Sequence, residues 1–394
     1  MSTIKVNSIK NTSTDDGGIA IDNSGHVQID GQQLPTAGAL SNRNLIINGA
    51  MQVAQRGTST TSTGYLIDRY NINFGQASIT QSQQSLSSGS PYDEGFRYFH
   101  RSAVTSTSSA NDTYLQIEHR VEAQNLAGSG WKYKDSSTNV VASFWVRSSL
   151  AGTYYVQYRA IDTASGAFYI NKSFTLVADT WTKVEHVIPG HSSLVFDDDT
   201  GNGLQITIAV HYGTDFTDSG VSVGSWFTRS GQNYLPAFTQ NFTNTSSATF
   251  DLTGLQLEVG EKATPFEHRS YADELQRCKR YFQKFGTGAE FIRGAQGTVY
   301  SNAPMSSYYS ISPDMRATPT VRNSDGSTTV TAQGYNENFS TSPGSHEYRP
   351  ITQNTTGTLV LGLQYNQADN SNASLPTTVK FARLSDMIHL IAEL

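Results

Sequence analysis

Two stretches of this chain carry the residue types that sugar binding needs. In "GSGWKYKD", Trp131 and Tyr133 sit among Gly, Ser and Lys; in "VGSWFTRSGQNY", Trp226 is followed by Arg229, Gln232, Asn233 and Tyr234. A flat aromatic face can stack on the C–H groups of a pyranose while neighbouring amide, guanidinium and hydroxyl groups pair with its hydroxyls. Both stretches read as accessible loops. Trp131, Tyr133, Trp226, Arg229 and Tyr234 are therefore the candidate glycan-binding residues, with ordinary edge packing as the competing reading. Trp145 and Trp181, in or beside alternating apolar runs, read as core.

Other chemistry is sparse. "FDDDTGNG" gathers Asp197 and Asp199 on a turn, a weak candidate for Ca²⁺, but Gly201 stands where an EF-hand loop needs Asp or Asn, so a solvated acidic turn is expected and no metal. No GxSxG elbow, HExxH pair or phosphate-binding glycine loop occurs, and no cofactor is implied. A glycan-cleaving enzyme would need two carboxylates about 5 to 9 Å apart in a cleft, which sequence alone does not show. The expectation is a non-enzymatic protein.

The elements that would position these residues are strands. Charged residues make up 15% of the 394, while Tyr, Phe, Thr, Ser, Asn and Gly abound, a composition that favours strands and polar turns. The net charge of −6 and the lack of clustered Lys and Arg argue against nucleic acid as a partner. The opening residues lack the apolar run of a signal peptide and no stretch reaches about 20 apolar residues, so folding in a cytoplasm without membrane insertion is expected. A single Cys excludes a disulfide framework within the chain.

An all-β chain follows, in four parts. Residues 1–40 contain no aromatic residue and form a short β arm, with Ile4 and Val6, Ile19 and Ile21, and Val27 and Ile29 as alternating pairs between turn signals. One copy buries too little apolar surface to offset roughly 1 to 2 kcal/mol of backbone entropy per residue. Either the arm is a flexible tail or neighbours order it, as when three chains point these residues at a shared axis. Residues 41–269 carry many strands: "GTYYVQYRA" alternates Tyr154, Val156 and Tyr158 against Tyr155, Gln157 and Arg159, and Gly254 suggests a kink in "ATFDLTGLQLEVG". This is the pattern of a two-sheet jelly-roll sandwich. Residues 287–394 form a smaller β domain, with Asp325-Gly326 as a hairpin turn between Val321 and Val330.

Between the two lies "TPFEHRSYADELQRCKRYFQKFG". Ser270 and Asp273 make a helix start, and Tyr271, Leu275, Cys278, Phe282 and Phe285 recur at steps of four and three. One amphipathic helix over 270–286 is predicted, its stripe bracing the sandwich or facing copies of itself through Leu275, Cys278 and Phe282, with Cys278 buried in either case. Cys278 reads as a small hydrophobe rather than a catalytic thiol.

Six phrases carry a resemblance. "NRNLIINGAMQVAQRGTS" with "YLIDRYNINF", and "GLQLEVGEKATPFEHRSYADELQRCKRYFQKF", resemble tail-fibre and tail-associated receptor-binding proteins of tailed bacteriophages. "MSTIKVNSIKNTST" with "GHVQIDG" looks like the N-terminal part of such proteins in marine phages of cyanobacteria, and "VVASFWVRSSLAGTYYVQYRA" is similar to jelly-roll carbohydrate-binding modules. The resemblance implies a homotrimeric virion protein of the tail, made in the host cytoplasm. It would attach to other virion proteins through its N-terminus and bind a host-surface polysaccharide or protein receptor. A tail adaptor or capsid decoration protein without a ligand, and a polysaccharide depolymerase, are the alternative readings.

Overall fold

Alternation along the strands decides which side chains are enclosed. In Gly152–Ala160, Tyr154, Val156 and Tyr158 lie in the core and Tyr155, Gln157 and Arg159 turn to the opposite face. The computed structural model describes residues 8–10, 18–21, 27–29, 32–33, 42–161, 166–229, 231, 234–285, 313–323 and 388–394, and the backbone of short strands between 291 and 384. Two compact units divide the chain, 1–271 and 272–394.

The first unit opens with β1 (Ser8–Lys10), β2 (Gly18–Ile21), β3 (Val27–Ile29) and β4 (Gln32–Gln33), an antiparallel meander. Ile9 supplies the first apolar position among the described residues; Ile4 and Val6 lie outside them. Register aligns Ile9, Ile19 and Ile29 in one column and sets Ile21 opposite Val27. Ile9, Ile19 and Ile21 are 62%, 41% and 43% exposed, and Val27 is half-buried.

Thirteen further strands build a sandwich: β5 (Ser59–Thr60), β6 (Gly64–Tyr65), β7 (Tyr70–Gly75), β8 (Ser78–Ser85), β9 (Tyr98–Ser106), β10 (Tyr114–Glu122), β11 (Asn139–Ser148), β12 (Gly152–Ala160), β13 (Phe168–Leu176), β14 (Thr182–Pro189), β15 (Asn202–Tyr212), β16 (Trp226–Thr228) and β17 (Thr249–Val259). One sheet runs β16-β13-β12-β15-β10-β7-β6 and the other β14-β11-β17-β9-β8-β5, so the chain crosses repeatedly between sheets in the jelly-roll manner. Short helices α1 (Ser90–Asp93) and α2 (Ala123–Ala127) fill corners. The core holds Ile117, Phe144, Tyr158, Ile206, Phe250 and Leu257 among many others. Each buried Val, Leu, Ile or Phe contributes about 1.5 to 3 kcal/mol. At Gly254, φ is 68° and a Cβ would lie 2.7 Å from the Phe96 ring; β17 bulges there against β11, which is the expected kink.

The chain enters and leaves the sandwich at one clasp. Leu45 N–H donates to Leu257 O at 2.8 Å, and Leu255 N–H to Gly49 O at 3.1 Å. A Cβ on Gly49 would stand 2.1 Å from Leu255 O, so only glycine fits. Glu267 accepts Asn44 N–H at 2.9 Å and pairs with Arg269 at 2.9 Å, while Arg269 donates to Ile46 O at 3.0 Å. Arg43 donates to Thr264 Oγ1 at 2.8 Å and pairs with Glu258 at 3.3 Å.

In the second unit the amphipathic segment departs from its predicted shape. Helix α3 spans Tyr271–Lys279 and stops; Phe282–Phe285 is a strand, β18, paired with Ile388–Ile391. The step of three from Phe282 to Phe285 mimics a helical stripe, but the distant C-terminal strand offers backbone partners that helix propensity does not outweigh. Tyr271 is 55% exposed and Leu275 half-buried, whereas Cys278 and Phe282 are fully buried in the single chain, leaving neither free to line an interface between chains. The expected hairpin is also corrected. Thr320–Asn323 pairs with Ile388–Ile391, and Val330–Tyr335 pairs with Ser345–Pro350 and Phe381–Leu384. Asp325-Gly326 lies outside the described residues.

Candidate functional site

The outward face of the seven-stranded sheet holds a groove of about 340 Å³. Three crosswise rows of that face supply its floor through Tyr169, Arg159, Gln205, Gln157, Thr207, Glu118, Gln116 and Asn73, because outward positions on adjacent antiparallel strands stand opposite one another. Tyr169, Arg159, Gln205 and Arg120 form one row; Asn171, Gln157, Thr207, Glu118 and Asn71 the next; Ser173, Tyr155, Ala209, Gln116 and Asn73 the third. The floor is thus mostly amide and hydroxyl.

These side chains are fixed by one another. Tyr212 donates its phenol proton to Gln116 Oε1; the Gln116 amide donates to Glu118 Oε1 at 2.6 Å. Gln205 Nε2 donates to the same Glu118 oxygen at 3.0 Å and to Thr207 Oγ1 at 3.1 Å, and Arg120 reaches Glu118 Oε2 at 3.1 Å. Glu118 is 5% exposed; burial pushes its carboxyl above the usual range, opposed by the Arg120 and Arg159 charges. Burial likewise raises the Tyr212 phenol, keeping it protonated as a donor.

The rim is aromatic and cationic. Tyr114, Phe216, Tyr212 and Tyr234 pack edge to face, with Tyr212 and Tyr234 ring centres 5.8 Å apart. The Tyr234 carbonyl accepts from Gln157 Nε2 and Asn171 Nδ2, both at 3.1 Å, which pins the loop that carries this ring. Arg229 lies 4.1 Å from the Tyr234 ring centre and 5.4 Å from that of Tyr169; Arg159 stands 5.6 Å from Tyr169.

Of the residues named from sequence, Arg229 and Tyr234 line this groove and three others do not. Trp131 is 3% exposed, joined to the main core and ringed by Tyr133 and Phe196 at 6.3 and 6.0 Å. It is carried by a loop, as expected, but is enclosed rather than accessible and has no face for a sugar. Tyr133 is half-buried against the same cluster. Trp226 stacks on Phe168 at 5.4 Å, packs against the core and donates Nε1–H to Pro189 O at 2.8 Å, so it points away from the groove. Gln232 and Asn233 lie outside the described residues. Trp145 is buried and Trp181 packs with it beside Phe99, as their runs suggested. Asp197 and Asp199 are exposed, and Asp199 Oδ1 accepts Gly201 N–H at 2.7 Å, closing an Asx-type turn. No cluster of three metal-ligating side chains occurs among the described residues.

Gln116, Glu118, Gln157, Tyr169, Gln205 and Tyr212 escaped the sequence reading. They come from four strands and meet only through register; the one sequence signal was the outward phase of "GTYYVQYRA", which carries Gln157 and Arg159.

No protein-family model matches the chain, and no curated protein matches it. Solved structures similar to it include the enzymatically active domain of tailspike protein 4 of bacteriophage CBA120, at 10% identity and TM-score 0.31, over 55% of this chain and 22% of that one. They also include the family 11 carbohydrate-binding module of a cellulosomal cellulase of Clostridium thermocellum, at 12% identity and TM-score 0.26, over 51% and 95% of the two chains. A third is a xylanase of the same organism with its carbohydrate-binding module, complexed with xylohexaose, at 8% identity and TM-score 0.27, over 55% and 30%. Likenesses this distant assign neither a family nor a ligand.

Proposed function

We propose that the groove binds a glycan and that the chain is a tail-fibre protein of a phage particle, recognising the host surface without cleaving it. The observation that carries this reading is the groove itself: about 340 Å³, floored by fixed amides and rimmed by Tyr212, Phe216 and Tyr234. Amides pair with sugar hydroxyls and the rim offers rings for stacking. Glu118 is the one carboxylate among the described lining residues and is already engaged by three donors, whereas glycoside hydrolysis usually works with two.

The virion role is supported by the phrases quoted above, and a trimer by the exposed Ile9, Ile19 and Ile21 on one face of the arm. Attachment would run through the N-terminal arm, and weak groove affinity would be multiplied by avidity. Purified full-length protein should adsorb to host cells and block infection by the phage, and Tyr234→Ala should reduce both. Protein that neither adsorbs nor blocks would sink the host-binding reading.

A further inference from the structure

We infer that the glycan bound in the groove is anionic, its carboxylate or sulfate received by Arg159 and Arg229 on either side of Tyr169. This rests on the groove being a glycan site.

The sandwich gives most of its arginines an oxygen acceptor. Arg43, Arg56, Arg101, Arg120, Arg147 and Arg269 each pair with a carboxylate. Arg69 and Arg97 donate to backbone carbonyls. Arg159 and Arg229 alone have no oxygen partner among the described residues, and Arg159 Nε is buried without an acceptor. Their contacts are to ring faces: Tyr169 for both, Tyr234 for Arg229. Such contacts hold a guanidinium in place while leaving its N–H edge open. A planar fork of donors fits a carboxylate or sulfate in two-point fashion, and the pairing is strongest where water is thinned.

The groove offers no internal anion to satisfy them. Glu118 already accepts from Gln116, Gln205 and Arg120. Two guanidinium groups therefore have no carboxylate bonded to them among the described residues, Glu118 acting on Arg159 only through space, inside a chain whose net charge is −6. A neutral sugar would leave those N–H groups with hydroxyl partners at best, whereas an acidic sugar supplies the missing charge.

The experiment uses the full chain against glycan pairs that differ only in charge: oligogalacturonate and its methyl ester, and dextran sulfate and unsulfated dextran, with maltoheptaose as a neutral control. Binding is read by calorimetry and by the intrinsic fluorescence of the protein. We expect binding to the charged members, weakened about tenfold between about 0.05 and about 0.5 M salt, and lost in the Arg159→Met/Arg229→Met double variant. The Arg159→Lys/Arg229→Lys variant keeps the charge without the fork and should retain part of the affinity and all of the salt slope. It also serves if the Met pair fails to fold. Carboxylate and sulfate are told apart by which pair shows the difference. Equal affinity for both members of a pair, flat in salt, overturns the anionic assignment and leaves the glycan groove standing. Absence of binding to every member, charged and neutral, overturns the groove reading and this inference with it.

Discussion

Each sheet of the sandwich carries arginines across its outward face, and the two faces finish them differently. On the six-stranded sheet Arg147, Asp251 and Arg101 stand opposite one another on β11, β17 and β9. Asp251, 1% exposed, accepts from Arg101 at 2.7 and 2.9 Å and from Arg147 at 2.7 and 2.9 Å, and Phe99 and Trp181 cover the guanidinium groups. On the seven-stranded sheet Arg159 and Arg229 also lean on aromatic rings but have no Asp251. Aromatic contact alone does not distinguish these two arginine pairs; a bonded carboxylate does, and on the seven-stranded face Glu118 supplies one to Arg120 but not to Arg159 or Arg229. A cation closed by the chain's own anion is structural, and one held open on a ring face is available to a ligand.

The largest expected effect comes from acid, which acts on the layer both faces share. His100, His119 and His186 occupy inward positions, and burial holds their pKa values at about 4, about 3 and about 4. Each is neutral in the fold and titrates near its ordinary value when unfolded, so the unfolded state takes up protons first. Stability is therefore full above about pH 6.5 and falls as pH drops toward about 4, by up to about 1.4 kcal/mol per pH unit for each histidine. Chemical denaturation at a series of pH values should show this slope; constant stability down to pH 4.5 would contradict the neutral, enclosed state.

Asp251→Ala separates the faces. It leaves two half-buried arginines without an anion, and about 3 kcal/mol of stability should go, lowering Tm by several degrees while the groove is untouched. An unchanged Tm would mean that Asp251 does not close these arginines. The finer comparison is between like residues: Arg147→Ala should cost about 2 kcal/mol through its paired carboxylate, and Arg229→Ala under about 1 kcal/mol because it breaks only ring contacts. Equal losses in thermal unfolding would mean that Arg229 is structural too.

Much of the sandwich was legible as alternation. The inward phase of "GTYYVQYRA" and the glycine kink in "ATFDLTGLQLEVG" needed only local spacing, and both match the observed strands. The site was legible in part. Arg229 and Tyr234 follow Trp226 closely and share the loop region that edges the groove. Trp131 and Trp226 misled because Gly and Ser neighbours suggest exposure, whereas Phe196 and Phe168, far along the chain, enclose them. The same distance explains β18: its partner lies about a hundred residues away, beyond any periodicity signal. Glu118, Gln205 and Tyr212 look like any outward strand residues until the register of β10 and β15 brings them together. The quoted phrases that resemble phage proteins fall largely on the clasp, so what they encode is closure of the sandwich rather than its ligand.

That clasp has a mechanical consequence. Because the segment of entry at Leu45 and the exit at Glu267 to Arg269 are bonded to each other, tension applied to the chain before Arg43 and after Arg269 is carried by this short bridge of backbone hydrogen bonds and ion pairs. The rest of the sandwich hangs beside the line of force. A pull along the chain thus loads the Leu45–Leu257 bond and its neighbours first and leaves the groove undeformed until they part.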